Sequence, residues 1–343
     1  MSTSPSPTPI QTRAGNVVSS ALPTRLSRNG YRWRKPRIPA AAWCWLIACA
    51  SALACASVQA GHVYRWKDEA GIVHYRDRAP AADAAVRELT AIPYRAEPSD
   101  IARLSIVPDG DGHLAIAENL LAGPIQVRLS LARGNNVASE PQLPARATLA
   151  AGETSVIARL TGADPRRDGD FALRLEATPG SPFARPREVE YRFPLAATEL
   201  RIEQGYGGRY SHHQAQNYHA VDFAAATGTE VLAAREGVVM QIENDFHQAG
   251  LDREKYGGRA NFVRVLHDDG TMAVYAHLRE NGVMVQPGQH LRAGQPIGRS
   301  GNTGFTSGPH LHFVLQVNRG MRLMSIPFHM FGPDGILRFD DSQ

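Results

Sequence analysis

Cysteine is missing from almost the whole chain. The three cysteines among 343 residues, Cys44, Cys49 and Cys55, all lie in one apolar run near the N-terminus. A product that loses this run has neither disulfides nor thiolate ligands, so a metal site in it must be built from histidine and carboxylate. Acid is missing from the first 60 residues, which hold seven of the 37 basic residues. Without them 30 basic residues face 33 acidic ones, and the net charge changes from +4 to about −3. The basic excess belongs to the N-terminus, which excludes a nucleic-acid footprint in the remainder.

The N-terminus has its own pattern. Residues 1–38 are rich in Ser, Thr, Pro and Arg, an apolar run follows from Ala40 to about Val58, and Val58-Gln59-Ala60 ends it with small residues. Basic region, apolar region and small-residue site together predict a secretory signal over 1–60. Left uncleaved, the run is near the lower length limit for spanning and would anchor the chain in the inner membrane. A third reading is lipidation, since Leu46-Ile47-Ala48-Cys49 resembles a lipobox.

Histidine is concentrated at the other end: ten of thirteen lie at or beyond His212. The run His310-Leu311-His312-Phe313-Val314-Leu315 alternates as a strand does, which puts His310 and His312 side by side and Leu311 and Phe313 in the core. Alone, this pattern also fits two surface histidines on an edge strand. Two further segments repeat the theme, Val274-Tyr275-Ala276-His277-Leu278 and Ser211-His212-His213 leading to Tyr218-His219-Ala220-Val221-Asp222-Phe223. Imidazoles and a carboxylate gathered on one sheet are a zinc-binding set, with a fourth position left for water.

On these pieces, together with Val231–Val239 and Gly301-Asn302-Thr303-Gly304, residues 198–333 resemble the lysostaphin-type (LytM-like) zinc peptidases, which cut peptide bonds in bacterial peptidoglycan. The resemblance implies an antiparallel β-sheet domain over 197–335, Zn2+ as cofactor and peptidoglycan peptide stems as substrate. It implies Asp222 and His312 as metal ligands and His277 and His310 as catalytic histidines that do not bind the metal. The family's usual first histidine falls at Tyr218. For the remaining ligand the resemblance favours His212, which follows Ser211 and reaches back if residues 213–217 form a loop, with His219 and then His213 as alternatives. Zinc-bound water would be the nucleophile, His310 its general base, and His277 would stabilise the oxyanion or protonate the leaving amine. The alternative is a non-catalytic envelope protein that binds peptidoglycan or activates an amidase. Signal, lack of cysteine and wall substrate predict the periplasm or cell envelope. Nothing in the sequence indicates an oligomeric state.

Between the two ends the pattern is also β, so the expected fold class is mainly β throughout. Gly61–Tyr75 reads as strand, turn, strand and predicts a small hairpin module over 61–80, resembling a module of unknown function found after signal peptides. Residues 81–97, with Pro80, Pro93 and Pro98 around them, read as a linker. From 98 to 196, strands at 102–107, 125–131, 154–160, 171–177 and 189–193 predict a β-sandwich that positions the peptidase domain, binds a partner or acts as a spacer. Residues 336–343 read as a tail. His267 and His290 are expected at solvated strand ends, His247 on a loop, and His62, His74 and His329 without a role.

Overall fold

A computed structural model describes residues 100–197, 199–332 and 335–339, with the backbone of four more strands, Tyr31–Arg32, His62–Lys67, Val73–Arg76 and Arg87–Pro93. The expected signal segment lies outside the described residues except for Tyr31–Arg32, whose backbone pairs with Phe171 and Asp170. The mainly β expectation holds. The only helix among the described residues is the single turn Arg253–Tyr256.

The hairpin His62–Lys67 and Val73–Arg76 forms with Tyr64 opposite Arg76 and Lys67 opposite Val73. A third strand joins it from the stretch expected to be a linker: Arg87–Pro93 pairs along His62–Lys67. Its Leu-Thr-Ala-Ile core has the β-prone, alternating composition that the flanking prolines had masked.

Two four-stranded antiparallel sheets follow. One is ordered Tyr31–Arg32, Asp170–Pro179, Ile125–Asn135, Ala145–Leu149, and the other Ala102–Asp109, Gly112–Asn119, Thr154–Gly162, Val137–Glu140. Period-2 alternation puts Ile125, Val127 and Leu129 on one face, all with no exposure, against Phe171, Leu173 and Leu160. Buried Asn119 ties a corner of this layer. Its amide donates to the carbonyls of Gly123 and Ala150 at 2.8 and 2.6 Å, and its Oδ1 accepts from Leu121 N–H at 2.9 Å. The strand expected at 189–193 belongs elsewhere: Glu190–Arg192 pairs in parallel with His329–Gly332 of the C-terminal unit.

The C-terminal unit is built on a ten-stranded sheet. Its main order is Ile202–Gln204, Val221–Ala224, His310–Asn318, Met272–Val283, Asn261–Leu266, Gly237–Glu243, His290–Leu291. Every residue of His310–Asn318 is buried, because both of its faces are covered. Leu311, Phe313 and Leu315 join a large core with Phe223, Tyr275 and Val263, while Val314 packs on the other face with Ala220 and Val274. Glu230–Leu232 does not pair with the nearby Gly237–Glu243 but with Pro296–Ser300. Residues 283–298, whose glycine-turned sequence suggests a strand pair, are mostly loop; within them only Val283 and Met284 meet Gly298 and Ile297. Phe339, expected in a tail, is buried against Phe223 and Phe328.

The sandwich rests on this sheet through Met240 and Met272, both fully buried in its core. A Cβ on Gly123 would come within 2.8 Å of Met240 and one on Gly180 within 2.6 Å of Met272. Gly180 also has φ +87°, so the backbone conformation favours glycine there.

Candidate metal and catalytic site

Register assembles the site. Asp222 lies directly opposite His312, and Ala224 opposite His310, across the antiparallel pair Val221–Ala224 and His310–Asn318. Ala276 faces His312 from the other side. Side chains of Asp222, His310 and His312 therefore share one face of the sheet.

By the same alternation His277 would point into the core, since Tyr275 does and Ala276 does not. It does not, because the strand bulges there. Asn261 pairs with Leu278 and Phe262 with Ala276, leaving His277 extra, at φ +63°. A bulge re-aims one side chain, and a positive φ on a non-glycine residue is held only by its surroundings. Here Thr303 O accepts from His277 Nδ1 at 2.7 Å. Thr303 Oγ1 in turn donates to Leu278 O at 2.7 Å and accepts from Asn261 N–H at 3.1 Å. The ring ends 4.6 Å from that of His310 and 5.7 Å from that of His312, centroid to centroid.

His212 arrives from a turn. Its N–H donates to Gly208 O at 3.0 Å, its ring is fully buried, and Nδ1 lies 2.8 Å from Gly205 O. Nε2 then faces Asp222 Oδ1 at 3.3 Å, and His312 Nδ1 meets the same oxygen at 2.8 Å. His310 Nε2 stands 3.7 Å away, with its Nδ1 2.8 Å from Gly308 O. One ligand atom from each of His212, Asp222 and His312 lies within 4.8 Å of the others, and all three residues are buried.

These contacts fix the protons. A carbonyl oxygen can only accept, so His212, His277 and His310 each give an Nδ1 proton to a main-chain carbonyl, and the neutral ring then carries its lone pair on Nε2. His212 Nε2 is buried with no hydrogen-bond partner. Burial raises the Asp222 carboxyl, but its contacts with His212 and His312 hold it well below the ordinary carboxylate range. Only His312 makes a hydrogen bond of good geometry in this pair of contacts. Burial first, then the His310 and His312 rings, lowers His277 to about 3, and burial lowers His312 as well. The centre is thus rich in acceptors and poor in protons, which is the donor set a divalent cation requires.

The other predicted ligands sit apart. His219 is half-buried between the Tyr206 and Tyr218 rings, with Nδ1 3.2 Å from Ser325 O and Oγ. His213, His247, His290 and His329 are exposed. His267, expected to be solvated, is 3% exposed. Its Nδ1 lies 2.6 Å from Glu236 O, and the Tyr191 ring packs edge-on against it at 5.8 Å. Gln204 was missed in the sequence: its Nε2 donates to Ser211 Oγ at 2.7 Å and reaches Asp222 Oδ2 at 3.4 Å. Asn261 was missed as well, and no spacing marks either one.

Residues 216–322 match Peptidase family M23, a stretch that begins four residues after His212, and residues 50–101 match a Domain of unknown function (DUF4124). Peptidoglycan DD-endopeptidase ShyA of Vibrio cholerae serotype O1 is 34% identical over 129 residues, which are 37% of this chain and 27% of that protein. DD-carboxypeptidase/endopeptidase Mpg of Neisseria meningitidis serogroup B is 31% identical over 125 residues, 36% and 26% of the two chains. This chain therefore spans about a quarter of the length of these curated relatives. Among solved structures, the catalytic domain of the antimicrobial peptidase lysostaphin from Staphylococcus simulans is 32% identical, covering 35% of this chain and 81% of that one, with a TM-score of 0.25.

Proposed function

From the premise that residues 216–322 form a peptidase family M23 domain, we propose that the protein is a zinc-dependent endopeptidase that hydrolyses peptide cross-links of bacterial peptidoglycan. The observation that carries this is the buried His212 Nε2, which faces Asp222 and His312 without a hydrogen-bond partner. An orphaned lone pair beside a carboxylate and a second imidazole costs about 1–3 kcal/mol unless a cation completes it. His212, Asp222 and His312 would hold the metal. Bound zinc would acidify a coordinated water and polarise the scissile carbonyl.

The chain's own groups do the rest. His310 accepts the proton of the attacking water at Nε2, the atom freed by the Nδ1 bond to Gly308 O. His277 presents the same unprotonated edge, so it first orients the water and would donate to the leaving amine only after receiving the proton that His310 takes from the water. Gln204 keeps Asp222 turned toward the centre. The relative named peptidoglycan DD-endopeptidase supports the substrate class, and that substrate and the N-terminal signal pattern both favour the periplasm or cell envelope.

Digestion of purified peptidoglycan by the zinc-loaded full chain tests the reading. Cross-linked fragments should be released by wild type and not by His310→Ala, which should still bind zinc. Digestion unchanged in His310→Ala would overturn the assignment of the base. Wall binding without digestion, with zinc present, would favour the non-catalytic wall protein.

A further inference from the structure

Beside the centre lies a group with no part in the mechanism so far. Tyr210 precedes His212 by two residues, and Phe305 precedes His310 by five. Their rings stack at 5.8 Å with an interplanar angle of 15°. The Arg253 guanidinium lies over Phe305 at 4.4 Å from the ring centroid, and its Nη2 donates to Tyr210 O at 3.3 Å. The turn carrying His212, the loop carrying Phe305 and the insertion over residues 244–258 that carries Arg253 thus meet at one point.

This platform is built into the site. Ala249–Gly250 of the insertion pairs with Gly304–Phe305, and Gly304 N–H donates to Gln248 O at 2.8 Å. A Cβ on Gly304 would fall 1.8 Å from Arg259 O, so only glycine lets the strands approach. Next to Phe305, Thr306 Oγ1 donates to Gly308 O at 2.7 Å and lies 3.4 Å from His310 Nδ1. Tyr210 is 48% exposed, so the platform is open to solvent.

Arg253 is exposed and has no carboxylate partner among the described residues, although Asp252 and Glu254 flank it. Asp252 instead caps the turn, accepting from Lys255 N–H at 3.0 Å. An arginine stacked on a ring has given up rotamer freedom before any ligand arrives, and its free N–H edge matches a carboxylate in plane. We propose that Arg253, held on Phe305 and Tyr210, is a carboxylate-reading subsite that selects peptides with a free carboxyl group near the scissile bond. Peptide stems of the wall are of this class. The subsite rests on the peptidase reading above, and the test separates the two.

The zinc-loaded full chain is given two synthetic cross-linked peptide dimers that differ only in having free carboxylates or carboxamides beside the cross-link. Wild type should favour the free acid by about tenfold in kcat/KM, the worth of one charge-assisted contact. In Arg253→Gln this ratio should fall to near one, and in Phe305→Ala, which keeps the charge but removes the platform, to a value between. A ratio unchanged in Arg253→Gln, or no preference in wild type, overturns the subsite and leaves the peptidase standing. Cleavage of neither dimer by wild type overturns both.

Discussion

Two polar clusters are buried in the same C-terminal unit, and they are built in opposite ways. Around Arg235 every charge is answered. Its Nη1 donates to Asp269 Oδ2 at 2.9 Å and to the Tyr191 hydroxyl at 3.2 Å, and its Nη2 to Asp268 at 2.6 Å. Asp269 also accepts from Thr271 N–H and Oγ1, and Arg187 reaches Asp268 from the segment between the two units. Around Asp222 one atom is left over: His212 Nε2 is buried without a hydrogen-bond partner, while the Nδ1 atoms of His212, His277 and His310 are all taken up by main-chain carbonyls. The first cluster is complete without a ligand and therefore structural. The second leaves a buried lone pair without a partner beside a carboxylate, which suits the metal site proposed above.

The largest effect should come from the incomplete cluster. Asp222→Asn should abolish zinc binding, measured by metal analysis, and should lower peptidoglycan digestion by at least about a thousandfold, because both the metal's ligand field and its charge balance are lost. His310→Ala should lower digestion by about 10²–10⁴ with zinc content unchanged, the usual worth of a general base. If zinc were lost with His310, the two roles would have to be exchanged.

The complete cluster should show the reverse: stability without metal. Removing one partner of a buried pair leaves a bare charge, so Arg235→Ala should cost about 3–5 kcal/mol in denaturant unfolding. The Arg235 side chain is 9% and that of Asp269 0% exposed, whereas Asp268 is 65% exposed and should matter little. Any zinc that the folded fraction binds should be bound as in wild type.

A smaller effect depends on pH. Burial, partly offset by the bond to Glu236 O, lowers His267 from 6.5 to about 4. The unfolded chain binds this proton first, so the contribution is full above pH 6.5 and is lost as pH falls from 6.5 to about 4, by about 3 kcal/mol. The Asp269 carboxyl acts further down. Burial pushes it up, but bonds from Thr271 and Arg235 hold it at about 2, and its contribution disappears between pH 3.8 and 2. In His267→Phe the loss between pH 6.5 and 4 should vanish, and chemical denaturation across that range will show whether it does.

The difference between the clusters also marks what could be read in the sequence. Alternation placed His310 and His312 on one face and Leu311 and Phe313 on the other, because a strand's period is a local property. It would have sent His277 into the core. The bulge that turns His277 outward is imposed by Asn261 and Thr303, which meet it only in three dimensions. His267 was misjudged for a related reason: a turn signal suggests exposure, but the fold brings Tyr191 onto its ring. Sandwich strands with period-2 runs were legible, whereas Glu190–Arg192 reads the same in either unit and is claimed by the one that offers a parallel edge. Gln204 and Arg253 carry no pattern of their own; they acquire meaning from neighbours distant in sequence.

Zinc binding by the full chain, titrated after removal of metal and compared with His212→Ala, tests the central claim most directly. One zinc per chain in wild type, lost or greatly weakened in His212→Ala, is the result expected from the orphaned Nε2. Absence of zinc binding in wild type, or the same affinity in His212→Ala, would contradict the account.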